Sequence, residues 1–204
     1  MAHDSRPNDV PWPAARWVEI DDVILEHGDV SLRAARAGDA ADLFSVVDSD
    51  ECWRHVIGRP SDADALAGVI AGARAVGRHM FVVVRAGSIV GTTSFLDVSV
   101  PDARVEIGST MYARHEWGSD LNPVCKLLLM SHAFDVLGMG RVQLKTDVRN
   151  MRSRAAIEKI GATREGVLRR YQRRSDATVR DTVIYSVVAE EWPVVRDKLS
   201  ARLN

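Results

Sequence analysis

The sequence predicts a single α/β domain, built on a mixed sheet with helices packed on its faces. Three observations carry that expectation. Segments with two-residue alternation, such as Arg141 to Asp147, recur among segments with helical spacing, such as Leu127, Met130, Phe134 and Leu137. The 204 residues are 46% hydrophobic, enough to bury one substantial core. Short polar or glycine-containing turns separate the segments, with no internal repeat or low-complexity run.

The elements follow in order. Residues 1–28 read as a polar extension punctuated by Pro7, Pro11 and Pro13, and the domain is expected over 29–204. Val30 to Ala34 alternates like a strand. Asp39 is placed to cap a helix carrying Ala40, Leu43, Phe44 and Val47. Ser61 to Asp64 starts a second helix through Leu66, Val69, Ile70 and Ala73. Met80 to Arg85 and Ile89 to Val98 flank a hairpin connection at Ala86-Gly87, and Gly91 marks a bulge in the second strand. Val105 to Tyr112 is the next strand, and an apolar helix from Val124 to Leu137 ends at Gly138 and Gly140. Asn150 or Ser153 caps a short helix that bears Ala156, Ile157 and Ile160 and stops at Gly161. The tail reads as strands at Val167 to Gln172 and Val179 to Val188, then a helix from Glu190.

Composition excludes several functions. Lys and Arg number 27 against 28 Asp and Glu, a net charge of −1, so nucleic acid and anionic membranes are not expected partners. Cys52 and Cys125 form no disulfide framework, and Cys125 reads as a small buried hydrophobe. The six histidines, His3, His27, His55, His79, His115 and His132, lack metal-ligand spacing with the cysteines, so no metal is expected. No apolar run reaches signal-peptide or transmembrane length, and the expectation is a cytoplasmic protein. Oligomeric state is left open, a homo-oligomer included.

The stretch from Arg104 to Gly161 carries the chemistry. Trp117-Gly118-Ser119-Asp120-Leu121-Asn122 joins a strand to a helix, a junction that can present backbone N–H groups to an anion. Gly118 allows close backbone approach, and Ser119 adds a small hydroxyl. Glu106 alternates with Gly108, Thr110 and Tyr112, opposite the apolar Val105 and Ile107. Trp53 and Trp117 are cleft or packing residues, and Phe81 and Phe134 are core. Arg169, Arg170, Arg173 and Arg174 form a basic cluster on a turn.

These residues resemble the GNAT superfamily of acyl-CoA N-acyltransferases, in particular the branch of ribosomal-protein N-terminal alanine acetyltransferases. The resemblance spans about residues 29 to 195. It rests on Val105-Glu106-Ile107-Gly108, on the loop from Trp117 to Asn122 with Lys126, on Asn150-Met151-Arg152-Ser153 through Ile160-Gly161-Ala162, and on Arg180-Asp181-Thr182-Val183. It implies a mostly antiparallel sheet with helices on both faces and a splayed strand pair. It implies acetyl-CoA as cosubstrate, transferred directly to a primary amine: a protein N-terminus, a lysine or a small amine. The coenzyme contacts it implies are Ser109, Thr110 and Met111 for the pantetheine arm, Trp117 to Asn122 and Lys126 around the pyrophosphate, and Asn150 and Ser153 on the other side. Glu106 stands as the base, with Asp97, Asp147 and Asp181 as weaker alternatives, and Ser153 as thiol contact and proton donor. His115, Asp120 and Ile157 depart from the superfamily pattern. They motivate an alternative, a catalytically impaired acyl-CoA-binding sensor or interaction protein. Succinyl-CoA or another acyl donor is a further alternative.

Overall fold

The computed structural model describes residues 10–203. The first nine residues of the expected extension, His3 and Pro7 among them, lie outside the described residues. In chain order the strands are β1 (Ile24–His27), β2 (Val30–Ala34), β3 (His79–Arg85), β4 (Ser88–Ser99), β5 (Arg104–Tyr112), β6 (Arg141–Asp147), β7 (Thr163–Arg173) and β8 (Val179–Val188). The α-helices are α1 (Ala40–Val47), α2 (Asp50–Trp53), α3 (Ala63–Gly72), α4 (Leu121–Ser131), α5 (Met151–Ile160) and α6 (Trp192–Ala201). The strands form one 8-stranded sheet in the order β1-β2-β3-β4-β5-β6-β8-β7. Every neighbouring pair is antiparallel except β5 and β6.

Alternation along the strands divides the core between the two faces. Met80, Val82 and Met111 face α1, α2 and α3, where they meet Leu43, Val47, Trp53, Leu66 and Ile70. Phe81, Val83, Phe95, Val105 and Ile107 face the other way, onto Leu121, Cys125, Leu129 and Met130 of α4 and Trp192, Val195 and Leu199 of α6. Trp53 is thus a core residue, its indole N–H donating to the Val47 carbonyl at 2.9 Å.

Several local expectations are corrected. Order begins before Asp29, because Ile24–His27 pairs with Val30–Arg33 and Ile20 is buried in the core. Asp39 occupies the N-cap position of α1 without capping it. Its carboxylate instead pairs with the Arg33 guanidinium at 2.7 Å and accepts from the Arg36 amide. Ser49 caps the short α2, which carries too few residues to show a period. α4 begins at Leu121 rather than Val124, and a π-helical turn, His132–Val136, follows it. β7 is longer than its apolar pattern suggests, since most of its side chains are exposed. α6 begins at Trp192, with Pro193 in its first turn.

Gly91 sits beside an irregularity, as expected. Val83 pairs with Gly91 and Val84 with Ile89, leaving Val90 as the extra residue. The glycine is required on its other side, because a Cβ there would lie 2.3 Å from the Met111 carbonyl oxygen of β5. Backbone cannot yield as a flexible side chain can, so Gly91→Ala is expected to lower stability by about 1–3 kcal/mol, the usual cost of overpacking. An unchanged urea midpoint in the variant would show that β4 and β5 separate freely.

Candidate functional site

The site is built where the sheet opens. β5 and β6 run parallel but pair only from Arg104↔Arg141 to Glu106↔Gln143. Beyond Glu106 the two strands diverge, leaving an edge of β5 without a strand partner. β5 stays attached to β4 while bending away: Thr92 pairs with Met111 and Ser94 with Gly108, so Ser109 and Thr110 together oppose Thr93. Ser109 takes a positive φ of 49° in this bulge. β6 is held to β8 in unbroken register from Arg141↔Val188 to Asp147↔Thr182.

A cleft of about 590 Å³ fills the gap. Glu106, Ser109, Thr110, Met111, Trp117, Gly118, Ser119, Asn122, Lys126, Asn150 and Ser153 all line it, so the fold brings these sequence-selected positions together. Asp120 and Leu121 do not line it. Leu121 is fully buried in the core, as the first apolar residue of α4. The Asp120 carboxylate turns to Arg85, 2.7 Å away.

Arg85 explains how an acidic loop can face an anion. Its guanidinium also binds Glu116 at 2.8 Å and Asp29 at 3.1 Å. The loop's two carboxylates are therefore compensated by one cation at the end of β3. Ser119 locks the turn by donating to the Glu116 carboxylate and accepting from the Leu121 amide at 3.1 Å. Among the described residues, the amides of Gly118, Asp120 and Asn122 have no protein acceptor. Gly118 has φ +87°, and a Cβ there would meet no atom within 4 Å, so its role is conformational and it leaves the approach to these amides open. His115 is exposed and does not line the cleft.

The long wall behind the arm of the cleft is polar and buried. The Lys126 ammonium donates to the Thr110 hydroxyl at 3.0 Å, and that hydroxyl is 2.8 Å from the Thr93 hydroxyl. Burial pushes Lys126 down to about 8, against a weaker opposing pull from Cys125. Cys125 itself is pushed up to about 11 by burial, which leaves it an inert core thiol.

Across the cleft, Asn150 caps α5 by accepting from the Ser153 amide at 3.0 Å, and Gly161, φ +101°, ends the helix. This settles the cap in favour of Asn150 and leaves its amide N–H₂ free for other partners. Ser153 is half-buried and its hydroxyl makes no protein hydrogen bond among the described residues. Arg152 reaches back over the loop, its guanidinium carbon 3.4 Å from the Trp117 ring centroid. The cation–π contact bridges the two sides of the mouth.

At the closed end, Glu106 and Lys145 meet across the strands. Glu106 Oε2 lies 2.6 Å from Lys145 Nζ, with their side chains 8% and 16% exposed. Burial alone would lower the Lys145 pKa, but Glu106 and the Tyr171 hydroxyl outweigh it and hold the ammonium above its ordinary value. Glu106 Oε1 has no protein donor among the described residues. Gly108 keeps the space beside it, since a Cβ there would be 3.0 Å from Oε1.

The weaker carboxylates are committed elsewhere. Asp97 pairs with Arg104 at 2.6 Å, and Asp181 accepts from the Arg170 amide at 2.7 Å. Asp147 is gripped by Arg174 at 2.6 and 2.9 Å, which explains one member of the basic cluster. Sequence reading does not single out Lys145, Arg152, Arg180, His55 or Cys52 as cleft residues, although all five line it. Lys145 has a signal, since it alternates with Gln143 and Asp147 on a strand beside Glu106. His55 is held below its ordinary pKa, chiefly by burial.

Among the described residues no group of three or more His, Cys, Asp or Glu side chains could hold a metal ion. Nor is any helix there long and apolar enough to cross a membrane.

Comparison with known proteins agrees with this geometry. The acetyltransferase (GNAT) domain family matches residues 29–163. An uncharacterised N-acetyltransferase, p20 of Bacillus licheniformis, is 24% identical over 115 residues, 56% of this chain. The chain spans 64% of that relative's length. A crystal structure assigned as an acetyltransferase from T. thermophilus is 35% identical, with a TM-score of 0.83, over 93% of this chain and 99% of that one. Mycobacterium smegmatis RimJ, solved in complex with CoA-disulfide, shares the fold at a TM-score of 0.75 and 24% identity, over 85% of this chain and 88% of that one. With its matched core and its splayed strand pair, the chain belongs to the GNAT acetyltransferase family.

Proposed function

We propose that the protein is an acyl-CoA-dependent N-acyltransferase, with acetyl-CoA as a donor, acting on a primary amine. One observation carries the reading. A strand edge without a partner joins a loop of unpaired amides at one end to a buried carboxylate at the other. A diphosphate fits the loop, because the amides of Gly118, Asp120 and Asn122, at the N-terminus of α4, have no protein acceptor among the described residues and can bind it without a metal. The two amides of a pantetheine arm fit the edge of β5 at Ser109, Thr110 and Met111 as an added strand would. Asn150 can offer its N–H₂ from the other side.

The coenzyme supplies a thioester; the remaining work falls to the protein. Glu106 Oε1 is the open acceptor at the end of the cleft, placed to take a proton from an incoming ammonium directly or through water. Lys145 fixes the carboxylate and orients Oε1 away from itself. Ser153 offers a free hydroxyl to the sulfur, and a thiolate leaves readily enough that the hydroxyl assists rather than determines the step. Acceptors of all three expected kinds, a protein N-terminus, a lysine or a small amine, present the same nucleophile.

The alternative of an impaired sensor is not favoured. The acidic loop residue that suggests it, Asp120, is neutralised by Arg85 and turned from the cleft.

Three outcomes test the reading. Calorimetry with CoA is expected to give saturable binding that weakens at least tenfold in Gly118→Asp, which puts a strained, anionic residue in the loop. No binding to the unaltered protein would end the coenzyme assignment. Lys126 gives a second readout. Its folded pKa is depressed to about 8 against about 10.4 unfolded, so between those values the unfolded chain holds more protons and stability rises with pH. Lys126 lines the same cleft as the loop, and a coenzyme phosphate laid within reach of its ammonium would restore its charge. Net proton uptake on CoA binding is therefore expected near pH 9, read from binding enthalpies in buffers of different ionisation heat, and should vanish in Lys126→Met. Finally, Glu106→Gln should lower acceptor-dependent CoA release by about a hundredfold with little change in CoA affinity. Full turnover of that variant across pH would remove Glu106 from the base role.

A further inference from the structure

A second, smaller cavity opens beside the cleft, on the α1–α3 side of the sheet. It measures about 80 Å³, and Val56, Ile57, Ser109 and Met111 line both spaces. The rest of its wall is mostly apolar, including Leu43, Val47, Trp53 and Met80. Its polar members besides Ser109 are Thr92 and Arg78, of which Arg78 alone is charged.

Arg85, Arg104 and Arg174 each bind a carboxylate, whereas among the described residues Arg78, like the cleft-lining Arg152 and Arg180, has no carboxylate partner. Arg78 makes one side-chain hydrogen bond, from Nε to the Ser94 hydroxyl at 3.0 Å. Among the described residues no carboxylate lies within ion-pair distance of it. Ser94 is fully buried and pairs with Gly108, the residue before the Ser109 bulge. The guanidinium therefore stands one strand away from the bulge, with its terminal nitrogens unpartnered. Burial alone depresses its pKa, with no compensating charge. Arg78 is half-buried, its terminal nitrogens have no protein partner among the described residues, and a carboxylate in the cavity would supply one.

This inference rests on the acyltransferase reading, which runs the pantetheine arm from the loop at Gly118 along β5 toward Ser109. The acyl group then arrives at the wall shared by the two cavities. We infer that the smaller cavity is an acyl pocket, and that Arg78 selects short acyl groups ending in a carboxylate, of the malonyl or succinyl kind. A space of about 80 Å³ admits only a short acyl end. It suits one or two methylenes and a carboxylate beyond the reacting carbonyl and leaves long fatty chains outside. Planar guanidinium and carboxylate pair through two parallel hydrogen bonds, which a neutral chain of equal length cannot form. In the transfer itself the amine nitrogen bonds to the thioester carbonyl carbon, the carbon–sulfur bond breaks, and CoA leaves as thiolate. The amine proton passes to Glu106, and the distal carboxylate stays unchanged on Arg78.

Binding and turnover together test this. Calorimetry on the unaltered protein with CoA, acetyl-CoA, butyryl-CoA and succinyl-CoA separates chain length from charge. Succinyl-CoA is expected to bind at least tenfold tighter than its neutral counterpart butyryl-CoA, and Arg78→Met should abolish that margin while leaving CoA affinity unchanged. A thiol-release assay over the same donors should show the same reversal in kcat/KM. Equal affinity for succinyl-CoA and butyryl-CoA in the unaltered protein would overturn the inference while leaving the acyltransferase reading intact. So would an equal loss for every donor in Arg78→Met. Failure of CoA itself to bind would instead overturn the underlying reading.

Discussion

The short parallel contact between β5 and β6 governs the rest of the molecule. Pairing ends at Glu106↔Gln143, and each strand then follows its other neighbour, β4 or β8. A continuous ladder would satisfy the backbone groups of β5 within the sheet and leave no slot. Its interruption leaves hydrogen-bonding groups on an interior edge, which require water or a ligand. The bulge at Ser109 sustains the divergence, and Lys126, Thr110 and Thr93 brace it from within the fold.

Electrostatics at the two ends of the slot are arranged on different principles. At the mouth, Arg85 gathers Asp29, Glu116 and Asp120, so the loop offers its amides to an anion without presenting its own carboxylates. At the closed end, Glu106 and Lys145 are nearly buried together, which keeps either from being an isolated charge. One Glu106 oxygen remains open to an acceptor. Arg78 stands outside both schemes, a cation with no acidic partner among the described residues, at the wall of a small cavity.

Much of this is legible in the sequence because the strands near the cleft alternate cleanly and glycine stands at some of the positive-φ turns, Gly118 and Gly161 among them. Val105 to Tyr112, Arg141 to Asp147 and the stop at Gly161 are examples. The coenzyme-side residues follow from motif order. What the sequence does not disclose depends on long-range geometry. Arg85 lies 35 residues before Asp120, so nothing local announces their pairing. Asp39 looks like a helix cap in sequence, yet Arg33 and the Arg36 amide claim its carboxylate. β1 and Ile20 fall within the expected extension because a four-residue edge strand with exposed side chains has almost no hydrophobic pattern. Lys145 and Arg180 become cleft residues only once β6 and β8 are placed beside the opening.

Amide hydrogen exchange with and without CoA tests the central claim most directly, because it reads the slot's own backbone. The account predicts that CoA slows exchange in two separated segments, Ser109 to Met111 on the edge of β5 and Gly118 to Asn122 in the loop, while β1 to β3 are unaffected. Protection confined to the loop, or absent from both segments, would contradict the view that the opening between β5 and β6 is a slot for an added strand.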